Sequence, residues 1–315
     1  HRKSHSAISA STPPLNGYIA SASPESARAE VFRRRDGGWI HEASFPTWRY
    51  GEAVISRDGS WLALNSSADG GRFVRVLAST ATGWQEESRI QNVDTTFAVS
   101  DDGMWMAAAA AFNQPARRLW TRDAGAWVDG TFAPWEGPVA ISGDGSTLAS
   151  VVGDADAGRI LVYRRSGATW TLDATLTPPS ITAGAFLLSS DGSTLVSANI
   201  LDPPWPNSGS AHVFQRTNGV WRFEASLGPD PEFMWQQLGF DGQLSADGNR
   251  LVLGASAESL ASPDGSVIDA HGAVYIFTRS GESWVRSLRV PAPAGIRSLL
   301  FGRSVSCSAD GRAVI

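Results

Sequence analysis

The chain has 315 residues, a formal net charge of −5 at pH 7 and an apolar fraction of 42%. This acidic balance argues against nucleic acids and anionic membranes as partners, because both favour basic patches. A single cysteine excludes an internal disulfide, and no apolar run approaches the roughly 20 residues of a transmembrane segment.

One short pattern returns along the chain: a Ser, one spacer residue, Asp-Gly and then a β-rich run. Clear copies begin at residues 56, 100, 142, 189, 245 and 308, and a degenerate copy occupies 14–17. The glycines of the seven copies are Gly17, Gly59, Gly103, Gly145, Gly192, Gly248 and Gly311. Strand-rich repeats of roughly 40–60 residues are typical of β-propeller blades.

The sixth unit shows the strands that each repeat is expected to contain. In chain order the sequence predicts strand A at 238–245, strand B at 249–256, strand C at 272–279 and strand D at 283–290. Asp247-Gly248 separates strands A and B, which predicts a type I′ hairpin turn with both central residues at positive φ. The run at 107–112 is alanine-rich and favours a helix by propensity, but its place after Asp102-Gly103 predicts strand B of the third unit.

A tryptophan follows the turn between strands C and D in six units. These residues are Trp39, Trp84, Trp127, Trp170, Trp221 and Trp284. Large aromatic side chains at a repeated position indicate packing between neighbouring sheets.

The fold class predicted from these patterns is all-β: a β-propeller of four-stranded antiparallel blades, about seven in number. Six blades are complete and a partial seventh runs from Leu300 to Ile315. We expect residues 1–315 to form a single propeller domain that is a fragment truncated in the last blade. A six-bladed closure, with the last hairpin pairing against the first blade, is the alternative.

Two segments resemble the FG-GAP repeat of integrin α-chain propellers and bacterial surface proteins. They are GAVYIFTRSGESW at 272–284 and FGRSVSCSADG at 301–311. Phe301-Gly302 matches the Phe-Gly element, with Tyr50-Gly51 and Leu238-Gly239 as variants. The resemblance implies an extracellular or cell-surface location and a role in binding or adhesion. The calcium site of that family is not implied here, because each Asp-Gly turn offers too few carboxylates.

The sequence shows no spacing typical of a metal site and no adjacent nucleophile and base. We therefore expect no metal, no cofactor and no enzymatic activity. His212 lies within a strand C and is expected to face a blade surface. Carboxylates from distant blades could still converge on one face, as in glycoside hydrolases, and this pattern leaves a hydrolase or lyase as the alternative.

The longest loops are predicted to form the binding face. They are the B–C loop of unit five (200–210), the following D–A loop (228–237) and the B–C loop of unit six (256–271). We expect them to cluster and to bind a protein or carbohydrate ligand, because long loops on a rigid scaffold often carry function. The predicted ligand-binding residues are Trp205, Trp235, Asp230, Glu232, Asp264, Asp269 and His271. A structural scaffold without a ligand is a further alternative.

Overall fold

The computed structural model describes residues 7–9, 18–23, 28–35, 38–47, 53–56, 59–68, 71–91, 93–110, 118–123, 126–129, 138–153, 158–180, 184–203, 207–261, 267–293, 300–312 and 314. Every regular element in these residues is a β-strand. None of them belongs to a helix long and apolar enough to cross a membrane.

The strands are numbered in chain order. They are β1 (Ala7–Ser9), β2 (Tyr18–Ser23), β3 (Arg28–Arg35), β4 (Gly38–Pro46), β5 (Ala53–Ile55), β6 (Trp61–Ala68), β7 (Gly71–Thr80), β8 (Gly83–Gln91), β9 (Val93–Val99), β10 (Trp105–Ala110), β11 (Arg118–Asp123), β12 (Ala126–Asp129), β13 (Val139–Ile141), β14 (Thr147–Val152), β15 (Arg159–Ser166), β16 (Thr169–Leu176), β17 (Phe186–Leu188), β18 (Thr194–Asn199), β19 (Ser210–Thr217), β20 (Val220–Leu227), β21 (Phe233–Met234), β22 (Leu238–Leu244), β23 (Arg250–Ala255), β24 (Ser259–Ala261), β25 (Val267–Ala270), β26 (Ala273–Ser280) and β27 (Ser283–Pro291).

Six four-stranded sheets follow the predicted order A-B-C-D. They are β1–β4, β5–β8, β9–β12, β13–β16, β17–β20 and β22-β23-β26-β27. A seventh unit begins after them, where Phe301 bridges Gly272 and Cys307 bridges Val314. These sheets confirm the predicted β-propeller of four-stranded blades, and β10 confirms the strand assignment of the alanine-rich run.

The chain divides into two compact units. The first contains His1–Val151 and Tyr163–Thr171, and the second contains Val152–Val162 and Leu172–Ile315. In the first unit, one apolar core lies between the first two sheets and another between the second and third. In the second unit, the main core lies between β17–β20 and the sixth sheet, and a smaller one lies between the sixth sheet and the seventh unit.

The Asp-Gly turns are built differently from the predicted type I′ turn. In the copy at 245–248, the Gly248 amide donates to the Ser245 carbonyl at 2.9 Å, and only the glycine has positive φ, at 66°. Ser245 Oγ donates to Asp247 Oδ1 at 2.6 Å, and the Asn249 amide donates to the same carboxylate oxygen at 3.1 Å. The type I′ prediction is therefore wrong, because the aspartate caps local donors from an ordinary negative-φ conformation. Among the described turns, Asn218-Gly219 has both residues at positive φ.

The repeated tryptophans largely fill the predicted place. Trp84, Trp127 and Trp284 pack against the cores between neighbouring sheets. Trp170 meets Trp105 edge to face, with ring centroids 5.5 Å apart. Trp39 differs, because 40% of its surface is exposed.

Glycines recur where the chain enters a blade beside the preceding one. A Cβ on Gly254 would collide with the Gly302 carbonyl, and Gly302 itself has φ 80°. Gly239, with φ 89°, lies in the same way against Ala198. Glycine is therefore needed at these positions, including Gly302 of the Phe301-Gly302 pair, because the backbones of neighbouring blades lie too close for a Cβ atom. Such a demand is not specific to one repeat family.

Candidate functional site

The three long loops predicted to cluster are joined by backbone hydrogen bonds within the second unit. β21 in the D–A loop pairs with β24 in the B–C loop of the sixth sheet, and β24 pairs with β25. The Gln237 amide donates to the Asn207 carbonyl at 2.8 Å, and the Leu238 amide donates to the Ser208 carbonyl at 2.9 Å. These bonds attach the 200–210 loop to the same assembly. The described parts of the three loops therefore lie close together, as predicted.

The predicted site residues occupy varied positions in this assembly. Trp235 is 44% exposed, Glu232 is exposed and His271 is half-buried. Asp230 pairs with Arg286, with 3.0 Å between Oδ2 and Nη2. Asp269 lies on β25 opposite Leu260, while Trp205 and Asp264 lie outside the described residues. Their role in ligand binding remains a prediction.

A buried carboxylate, Glu258, anchors the B–C loop of the sixth sheet. Its side chain is 2% exposed and accepts hydrogen bonds from the Arg289 guanidinium and the Tyr275 hydroxyl. The Arg289 guanidinium also lies 4.0 Å from the centre of the Phe233 ring. Burial and the neighbouring Glu258 carboxylate raise the pKa of Tyr275, so this hydroxyl stays protonated. The charges of Glu258 and Arg289 are paired, which is typical of a buried cluster that holds a loop in place. We call Glu258, Tyr275 and Arg289 the clasp.

A second polar cluster, which we call the Ser180 cluster, consists of Ser180, Asp202, Ser210, His212 and Ser226; His212 and Ser210 are buried, whereas Ser226 is exposed. Ser180 Oγ lies 2.8 Å from His212 Nε2 and 2.6 Å from Asp202 Oδ2. Ser210 Oγ donates to the same carboxylate oxygen. On the other side of the ring, His212 Nδ1 lies 2.9 Å from Ser226 Oγ. A serine hydroxyl within hydrogen-bond reach of an imidazole is the contact that nucleophilic catalysis needs.

Local structure fixes each member of the Ser180 cluster. His212 lies on β19 opposite Ser226 on β20, so sheet pairing sets that contact. Asp202 begins the loop after β18 and is held by Asn199 Nδ2, which donates to Oδ1 at 2.6 Å. Ser180 comes from the segment between β16 and β17, and its side chain is half-buried.

Charge and burial act in opposite directions on His212. The residue is 3% exposed, and burial lowers the pKa of its imidazole, while Asp202 Oδ2 at 3.3 Å opposes that shift. The net direction is downward from the ordinary value of 6.5. His212 is therefore neutral at pH 7 and able to accept a proton.

The two clusters occupy equivalent positions in consecutive blades. Asp202 follows Thr194, the first residue of β18, by the same number of positions as Glu258 follows Arg250, the first residue of β23. His212 pairs with Ser226 across strands C and D, as Tyr275 pairs with Arg289. The fifth sheet thus has a His-Ser pair where the sixth has a Tyr-Arg pair, and within the described part of the chain no arginine pairs with Asp202.

The sequence did not indicate this cluster. The predicted absence of a nucleophile beside a base is wrong for Ser180 and His212, which are 32 positions apart in the chain. His212, which was expected to face a blade surface, is buried, and its ring contacts the other members of the Ser180 cluster. Only the equivalence of Asp202 and Glu258 in the aligned repeats could have drawn attention to it. Within the described residues, no group of three or more His, Cys, Asp or Glu side chains is placed to hold a metal ion.

Comparison with known proteins identifies the fold. No protein-family model and no curated protein match the chain. Among solved structures, it resembles hydrazine synthase from Kuenenia stuttgartiensis, with 14% identity, a TM-score of 0.65, and coverage of 100% of this chain and 93% of that one. A candidate 6-phosphogluconolactonase from Bacteroides uniformis gives 12% identity, a TM-score of 0.61 and coverage of 90% and 84%. The periplasmic gluconolactonase of Pseudomonas aeruginosa gives 16% identity, a TM-score of 0.51, and coverage of 92% of this chain and 98% of that one.

The chain has the fold of a β-propeller. At these identities the likeness shows the fold alone, but it corrects two predictions. The FG-GAP assignment is wrong, since these neighbours are propellers of lactonase and other types and the Phe-Gly elements reflect local packing. The prediction that the chain is not an enzyme is also contradicted, because two of these structural neighbours bear the names of lactonases.

Proposed function

We propose that this chain hydrolyses the cyclic ester of a sugar acid, a sugar lactone, and that Ser180, His212 and Asp202 are its reacting residues. The main observation in support of this proposal is the 2.8 Å contact between Ser180 Oγ and His212 Nε2. Lactone hydrolysis is an acyl transfer, for which a serine activated by an adjacent imidazole is a suitable nucleophile. The lactonases among the structural neighbours support the substrate class.

One tautomer of the His212 imidazole suits the proposed proton transfer. When Nδ1–H donates to Ser226 Oγ, Nε2 carries the lone pair and faces Ser180. The Ser180 hydroxyl has one proton and two acceptors for it, His212 Nε2 and Asp202 Oδ2. In the common Ser-His-Asp arrangement the acid holds Nδ1. Here Asp202 lies on the Nε2 side, where its charge stabilises the imidazolium as it forms.

The reaction balances with water as the only co-reactant. His212 Nε2 takes the Ser180 proton while Oγ attacks the lactone carbonyl carbon. The ring C–O bond breaks, its oxygen leaves as a hydroxyl with the proton from His212, and the acyl group remains as an ester on Ser180. Water then attacks this ester as His212 accepts one of its protons. The ester C–O bond breaks, Ser180 regains a proton and a hydroxy acid is released.

The acids of the sixth sheet favour this assignment over a glycoside hydrolase. A glycosidase needs two carboxyl groups facing one bond, one of them available as an acid. Glu258 is held by Arg289 and Tyr275, and Asp230 is paired with Arg286. Both carboxylates are thus committed to cations, whereas Asp202 is bonded to hydroxyls, an amide and His212.

The test is hydrolysis of glucono-1,5-lactone by the purified chain, followed by acid release and corrected for the buffer rate. Ser180→Ala should lower kcat by about 10³-fold or more. Ser280→Ala, an exposed serine at a turn, is the matched control and should keep the wild-type rate. Equal rates for the wild type and folded Ser180→Ala would contradict the proposal, as would a wild-type rate no faster than buffer across a panel of five- and six-membered sugar lactones.

A further inference from the structure

Backbone strain is concentrated in the two loop segments beside the Ser180 cluster. Among the described residues, four that are not glycine have positive φ, and three of them are Asn207 (59°), Trp235 (56°) and Gln237 (52°). Positive φ is unfavourable for L-residues and most unusual for a bulky one such as tryptophan. Strain of this kind persists only where surrounding contacts enforce it, and it clusters at functional sites.

Identifiable contacts hold Trp235 in this conformation. On its N-terminal side, Met234 pairs with Ser259 in the three-stranded sheet. On its C-terminal side, Gln236 is 1% exposed and donates through Nε2 to the Asp230 carbonyl. The residues on both sides of Trp235 are therefore held by hydrogen bonds, and Gln236 is buried, while Trp235 itself is 44% exposed. A large aromatic residue is thus held at the surface in an unfavourable backbone conformation.

The same contacts connect Trp235 with the loop that carries Asp202. The Gln237 amide donates to the Asn207 carbonyl at 2.8 Å. The Gly209 amide closes that loop by donating to the Asp202 carbonyl at 3.0 Å. The segment after Trp235 and the loop that begins with Asp202 thus form one hydrogen-bonded body.

We propose that Trp235 is the stacking platform for the sugar ring of the substrate, a role that rests on the proposed function of the Ser180 cluster. An indole fixed by its backbone offers a flat apolar surface at little cost in side-chain entropy. The exposed carboxylate of Glu232, three positions away, can accept hydrogen bonds from sugar hydroxyls. A single aromatic ring beside a carboxylate suits a polyhydroxylated ring better than a broad apolar partner.

Binding is measured by calorimetry with 1,5-anhydroglucitol, a cyclic ether that has the ring of the lactone but no ester to hydrolyse. Trp235→Ala should weaken binding about tenfold, and Trp235→Phe should retain most of the affinity. Trp39→Ala is the matched control, because Trp39 is 40% exposed and lies in the other compact unit. That control should bind as the wild type does.

The outcome separates this inference from the proposed function. Ser180→Ala should lose hydrolysis and keep its affinity for 1,5-anhydroglucitol. If folded Trp235→Ala binds as tightly as the wild type, or if the wild type gives no binding heat, the stacking role is refuted whatever the hydrolysis assay shows. If Ser180→Ala still hydrolyses the lactone while Trp235→Ala loses binding, the nucleophile is wrong and the stacking role stands.

Discussion

His212 and Tyr275 occupy the same register position in consecutive blades and each contacts an acid from the loop after strand B. Tyr275 donates a hydrogen bond to Glu258, which also forms an ion pair with Arg289. The negative charge of Glu258 is therefore paired with a positive charge. His212 lies 3.3 Å from Asp202, whose other contacts are hydroxyls and an amide. The same position of the repeat therefore holds a paired acid in the sixth sheet and, in the proposed function, a proton-transfer centre in the fifth.

The clasp should contribute strongly to stability. Arg289→Ala leaves the Glu258 carboxylate, 2% exposed, without its cation and should lower the free energy of unfolding by about 3–5 kcal/mol. Urea denaturation measures this change. Arg286→Ala is the control, because its pair with Asp230 is more exposed and should cost about 1 kcal/mol or less. Equal losses in the two variants would show that Glu258 does not depend on Arg289.

Alanine substitutions at two turn glycines distinguish the cost of a positive φ from the cost of steric crowding. Gly248 and Gly281 have φ of 66° and 64°, but a Cβ on Gly248 would lie 2.8 Å from Thr194 Cβ, whereas one on Gly281 would meet nothing within 4 Å. Gly281→Ala should cost about 1–2 kcal/mol from its conformation alone. Gly248→Ala should cost about 1–3 kcal/mol more because of overpacking. Thermal or urea unfolding of both variants checks this. Equal losses of unfolding free energy in the two variants would contradict the close contact between Gly248 and Thr194.

Ser226 is expected to act as a positioning residue. Its Oγ lies 2.9 Å from His212 Nδ1, and by accepting a hydrogen bond from Nδ1–H it would favour the tautomer whose Nε2 lone pair faces Ser180. Ser226→Ala should lower kcat by about 10-fold to 10²-fold and leave KM nearly unchanged, because proton transfer and not substrate contact is impaired. The acid limb of its pH–rate profile should also move, and Ser226→Thr should restore both. A Ser226→Ala variant with an unaltered kcat and pH profile would remove this residue from the mechanism.

The lowered pKa of His212 also predicts a pH dependence of stability. Below about pH 6.5 the unfolded histidine takes up a proton that the folded one does not, so the unfolded state binds more protons. Stability should therefore fall as the pH is lowered from about 6.5 towards the folded-state pKa, by at most about 1.4 kcal/mol per pH unit.

His212→Gln isolates this contribution. Urea unfolding at several pH values between about 5 and 7 should show a shallower slope in this variant than in the wild type. An unchanged slope in His212→Gln would mean that burial does not disfavour the charged imidazole.

The fold was predictable because its signals are local and repeated. A glycine such as Gly248 is required by the conformation of its turn, and each copy whose glycine is described marks the junction of strands A and B; the copy at 14–17 lies outside the described residues. The family assignment failed because Phe301-Gly302 reports a packing demand between adjacent blades, which different propellers share. The proposed reacting residues could not be found from the sequence, since Ser180 lies 22 positions from Asp202 and only the meeting of three segments brings them together.

The most direct measurement is covalent trapping of the nucleophile. The purified chain is treated with a fluorophosphonate, which reacts with activated serine hydroxyls, and its intact mass and peptide map are recorded. We expect a single adduct on Ser180, absent in Ser180→Ala and much slower to form in His212→Gln. Sugar-lactone hydrolysis that is lost while Ser180 remains unlabelled, or an adduct on a different serine that abolishes activity, would contradict the role of Ser180 as nucleophile.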